Sequence, residues 1–152
     1  MCGPREATER EERVAFEVGR LLAERGVVVL CGGGGGVMGA VAAGARSRDG
    51  VVVGVLPNDS RAGASPDLTA AVVTNMGQAR NAVIVWSADA VIVVGGSWGT
   101  LSEVALAKRR GGVPVVCVGG WRVLTADGAE VPGLDQVGSA AGAVRRALGD
   151  PD

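Results

Sequence analysis

Runs of apolar, largely β-branched residues at 27–31, 51–56, 71–74, 90–94 and 113–118 alternate along the chain with stretches of helical period at 37–48, 76–87, 99–110 and 140–148. Short, continuous runs of this kind read as strands covered on both faces, and strands that alternate with helices pair in parallel through right-handed crossovers. The pattern predicts a Rossmann-like three-layer α/β/α fold with a mainly parallel sheet. A length of 152 residues suits one such domain, 1–152, and is too short for two. An amphipathic helix is predicted over 5–25, where Val14, Val18, Leu21 and Leu22 share a face and Gly26 ends the run. A domain of this type ordinarily opens on a strand, whereas "MCGPREA" leads straight into that helix, so the first strand reads as missing. Either the start lies too far downstream or the fold has one strand fewer.

What the chain lacks excludes several chemistries. With no histidine it has neither a Ser-His nor a Cys-His nucleophile pair, and no imidazole for zinc; no metal site is expected. Three cysteines, Cys2, Cys31 and Cys117, are odd in number and form no CxxC, which points to reduced, packed thiols in a cytoplasmic protein. A formal charge of -1 gives no basic field for nucleic acid. No apolar run reaches the ~18 residues of a membrane span, and the polar, acidic start is no signal peptide. Neither nucleic acid nor membrane is expected as a partner.

Polar and glycine residues collect in the loops that leave the carboxyl ends of the predicted strands, where open parallel sheets bind ligands. Gly32, Gly33, Gly34, Gly35 and Gly36 follow the first run; "NMGQARN" follows 71–74; "GGSWGTLSE" follows 90–94. Glycines before a helix let backbone N–H groups approach an anion, and the helix dipole adds about half a positive charge there. The plainer alternative is that they permit tight turns and close packing. Two such loops on one edge favour phosphate or nucleotide binding. Gly34, Gly36 and Gly39 also satisfy the GxGxxG spacing, with Asp59 placed to meet a ribose, but that match is weak inside a glycine tract. There is no GxxxxGK[ST], and the lone lysine, Lys108, sits within a predicted helix, so P-loop ATP hydrolysis and a pyridoxal Schiff base both lack their central residue. No cofactor is expected.

The segments "CGGGGGVMGAVAAGA", "GQARNAVIVWSADAVIVVGGSWGTLSE" and "GVPVVCV" together resemble the Lonely Guy (LOG) superfamily, and within it the small bacterial branch that includes molybdenum-cofactor carrier-like proteins. Such proteins are often labelled lysine decarboxylases, a label the missing cofactor lysine contradicts. The resemblance implies hydrolysis of the N-glycosidic bond of a nucleoside 5′-monophosphate, giving free base and ribose 5-phosphate. It assigns Arg80 and Glu103 as catalytic, and Gly95, Gly96, Gly99 and Thr100 as the phosphate-binding turn. An ionised carboxylate suits the chemistry, because cleaving a ribosyl bond builds positive charge on the sugar. Glu103 is expected in the first turn of its helix, where the dipole favours the charged form. Alternatively, Thr100-x-x-Glu103 is a capping box and Arg80 a surface ion pair. Met38, Asn75, Asn81 and Ser97 are candidate ligand contacts, and Trp98 either stacks on a base or packs.

The chain departs from the LOG pattern at Asn81, where the enzymes carry lysine, and at Val94, where they carry proline. Both departures are typical of the smaller branch, for which a carrier role is the alternative: a non-catalytic protein holding molybdenum cofactor or another phosphorylated ligand in the same cleft. The expected partners are therefore a small phosphorylated ligand, AMP-like or a pterin cofactor, and further copies of the chain. The resemblance implies a homodimer or higher oligomer, and Val83, Ile84, Val85 and Trp86, which exceed what one core-facing stripe needs, mark that helix as the contact.

Overall fold

The structure, a computed structural model, describes residues 1–150. Helix α1, Glu9–Glu24, begins later than the periodicity alone predicts because Thr8 stops it. The Thr8 side chain accepts from the Glu11 N–H, and the Glu11 carboxylate takes the Thr8 N–H at 2.8 Å, a reciprocal cap that satisfies two donors at the helix start. Strand β1, Val29–Cys31, helix α2, Val37–Arg46, and strands β2, Val52–Leu56, and β3, Ala70–Val73, follow. A 3₁₀ turn, Gly77–Ala79, runs into helix α3, Arg80–Trp86. Then come β4, Val91–Val94, α4, Trp98–Arg110, β5, Val115–Val118, β6, Asp135–Val137, and α5, Ala140–Leu148.

All strand pairs are parallel, in two ladders ordered β1-β2-β3 and β4-β5-β6. Met1 and Cys2 touch both. The Met1 amine donates to the Leu30 carbonyl of β1 at 2.8 Å, while Cys2 bridges Val93 of β4 in parallel, its N–H bonding Ile92 and its carbonyl taking the Val94 N–H. Strand order thus runs outward in opposite directions from this dipeptide, as in doubly wound sheets.

Side chains of β4 and β5 alternate between two cores, as the period of a strand requires. Ile92, Val94, Val116 and Val118 pack with α1, α2 and α5; Val91, Val93, Val115 and Cys117 pack with α3 and α4. The three layers follow directly. Helices α1 and α2 approach closely because Gly44 has no side chain: a β-carbon there would overlap the Phe16 carbonyl.

Two expectations need correction. The run at 71–74 is not covered on both faces: β3 is the outer strand of its ladder, and Val72 and Val73 are exposed. Strand β6 was not foreseen, because its sequence, Asp-Gln-Val, carries no apolar run. The stretch 121–133 between β5 and β6 forms a short hairpin, with Leu124 bridging Glu130 antiparallel.

Candidate functional site

A cleft of about 190 Å³ opens at the carboxyl ends of β1 and β4, where the strand order reverses. Of the residues the sequence singles out, Gly32, Met38, Arg80, Asn81, Ser97, Gly99, Thr100 and Glu103 line it. They come from the glycine loop, the start of α3 and the start of α4, three segments brought together by the parallel sheet.

Arg80 is buried, 9% exposed, rather than a surface ion-pair partner. Its guanidinium lies 3.9 Å from the Glu103 carboxylate, a loose contact, and its Nε is buried with no hydrogen-bond partner among the described residues. Leaving such a donor unpaired costs about 1–3 kcal/mol, an expense typical of sites that await a ligand. Gly32 makes room for the guanidinium: a β-carbon there would stand 2.7 and 2.8 Å from the two Nη atoms.

Glu103 is 6% exposed and is not in the first turn of its helix. Helix α4 starts at Trp98 because Ser97 is its N-cap, the Ser97 Oγ accepting from the Thr100 N–H at 3.2 Å. Thr100 therefore caps nothing, the Thr100-x-x-Glu103 capping box does not form, and Glu103 falls in the second turn, past the reach of the dipole. Burial dominates instead and pushes its carboxyl above the ordinary range; the Met1 ammonium, Arg80 and a hydrogen bond from the Cys2 thiol offset part of that rise. The Cys2 thiol is itself pushed up by burial.

Asn81 is buried and its side-chain amide donates to Ser102 Oγ at 3.0 Å, tying α3 to α4. The remaining candidates lie elsewhere. Asn75 is exposed, in the left-handed region at φ 52°, with its N–H on the Asn58 carbonyl. Gly95 and Gly96 face the Glu11 carboxylate and the Trp121 ring. Trp98 is 79% exposed and stands edge-on to Trp121, ring centroids 4.9 Å apart. Gly33, Gly34, Gly35 and Gly36 are outside the cleft wall, but Gly34 and Gly36 abut Arg5, which is in it. Lys108 donates to the Gly133 carbonyl at 3.0 Å, away from the cleft.

Sequence reasoning missed one wall entirely. Met1, Cys2, Gly3, Pro4 and Arg5 line the cleft, with Pro57 and Gln78 opposite. The Pro4 carbonyl takes the Val37 N–H at 3.1 Å, so the first amide of α2 is already engaged within the chain. Residues this close to a helix start show no period, so nothing in the sequence marks them as cleft wall. Among the described residues no group of three or more histidine, cysteine or acidic side chains is placed to hold a metal, and no helix is long and apolar enough to cross a membrane.

A family model described as the SLOG cluster4 family matches residues 1–140. An uncharacterized protein of Archaeoglobus fulgidus is 44% identical over 81% of this chain and 84% of its own. A cytokinin riboside 5′-monophosphate phosphoribohydrolase of Mycobacterium tuberculosis is 37% identical over 71% of this chain, which spans 62% of that relative's length. Among solved structures, the molybdenum cofactor binding protein of Rippkaea orientalis superposes with a TM-score of 0.79 at 32% identity, over 91% of this chain and 87% of that one. The molybdenum cofactor carrier protein of Chlamydomonas reinhardtii gives 0.79 at 28% identity, over 98% and 96%.

Proposed function

Because the chain belongs to the SLOG cluster4 family, we propose that its cleft binds a phosphorylated ligand and that it acts as a nucleoside 5′-monophosphate phosphoribohydrolase, releasing free base and ribose 5-phosphate. The observation that carries this reading is the buried Arg80–Glu103 pair: a cation with an unpartnered donor and a carboxylate, both lining one small cleft. At about 190 Å³ the cleft is smaller than the ~300–1,000 Å³ typical of whole-ligand pockets, so it takes only part of a nucleotide. As the N-glycosidic bond breaks, its electron pair leaves with the base nitrogen and C1′ becomes cationic. Ionised Glu103 stabilises that charge and takes a proton from the water whose oxygen bonds C1′; the leaving base nitrogen takes a proton from solvent, and Glu103 gives its own back to solvent, so one water is consumed. Arg80 holds the ligand by charge-assisted hydrogen bonds.

A carrier role is the second reading, favoured by the likeness over nearly the full chain to proteins described as binding or carrying molybdenum cofactor. The two separate at Glu103. Incubating the protein with AMP and other nucleoside monophosphates, and reading free base and ribose 5-phosphate by chromatography, is expected to show release that Glu103→Gln abolishes. Tight binding without release, unchanged by Glu103→Gln, selects the carrier.

A further inference from the structure

We infer that Arg5 is a second anion-binding residue of the cleft, and that the group it holds is the phosphomonoester of the ligand. This rests on the reading of the cleft as a phosphorylated-ligand site and adds the residue that fixes where the phosphate goes. The chain crosses the glycine loop at residues 4–5, and the Arg5 guanidinium lies over Gly34, where a β-carbon would stand 3.0 Å from its Nη2. Arg5 lines the same cleft as Arg80 and Glu103.

The charges in the cleft are unequal. Arg80 is within 3.9 Å of the Glu103 carboxylate, which offsets part of its field. The Met1 ammonium also acts on Glu103, whereas Arg5 has no ion-pair or hydrogen-bond partner among the described residues, so it is the cleft-wall cation that Glu103 does not offset. Glu103 at the buried end repels a phosphate dianion, and Arg5 at the exposed end attracts one, which draws the phosphate toward the glycine loop. One backbone donor at the start of α2 is already taken, because the Pro4 carbonyl accepts the Val37 N–H. Arg80, whose Nε is unpartnered, adds its own donor to the same anion.

The test is calorimetric titration of the wild type, Arg5→Gln and Arg5→Lys with ribose 5-phosphate, at low and at moderate salt. Arg5 is exposed, so the variants are expected to melt with the wild type. Arg5→Gln is expected to weaken ribose 5-phosphate about ten- to a hundredfold and to flatten the salt dependence, with Arg5→Lys recovering part of the loss. Unchanged affinity in Arg5→Gln, with the wild type binding, overturns the role of Arg5 and leaves the phosphorylated-ligand reading standing. A wild type that binds no ribose 5-phosphate overturns both.

Discussion

Glu103 concentrates the conflict between stability and chemistry in this molecule. Its carboxyl is raised above the ordinary 4.5 chiefly by burial, so the folded state binds its proton more tightly than the unfolded chain does. Its contribution to stability is therefore fully present below 4.5 and is lost as the pH rises through the folded value. The difference in unfolding free energy between wild type and Glu103→Gln, followed by urea melts across pH, is expected to fall over that window and level off above it. A flat difference would contradict the burial argument. Arg80 and Glu103 were legible through the likeness of "GQARN" and "GGSWGTLSE" to the LOG motifs. Arg5 and Cys2 were not, since five residues ahead of a helix show no period, and only a fold that seats them between β1 and β4 gives them a role.

At the scale of elements, α3 carries apolar side chains both into the core and out to its surface. Ile84 and Val85 are buried, while Val83 and Trp86 face solvent, Trp86 at 64% exposure with the Arg110 guanidinium 5.4 Å from its ring centroid. That splits the four-residue contact expected from sequence into two core residues and two available for a second copy of the chain. We propose that α3 joins two copies through Val83 and Trp86. Sedimentation at micromolar concentration is then expected to give a dimer or larger, and Trp86→Glu a monomer; a monomeric wild type would count against the contact. The start of α1 was set too early by periodicity alone, although Thr8 and Glu11 spell out its cap. Periodicity also failed where tertiary pairing decides, as at β6, whose Asp135 and Gln136 are held by β5 rather than by their own propensity.

For the molecule as a whole, the alternation of apolar runs and helical stretches carried the parallel three-layer architecture, because period and order suffice to specify it. The position of the cleft followed from the same alternation. What alternation could not supply is the join between the two ladders, made by Met1 through one hydrogen bond to β1 and by Cys2 through two to β4. The join also brings the wall that turns a glycine loop into a two-arginine cleft, and the account depends on that cleft recognising phosphate. Titration of AMP and adenosine into the wild type and Arg80→Gln by calorimetry tests this most directly. The account predicts that the wild type binds AMP at least about tenfold more tightly than adenosine, and that Arg80→Gln weakens AMP about ten- to a hundredfold. Equal affinity for AMP and adenosine, or AMP binding indifferent to Arg80, would contradict it.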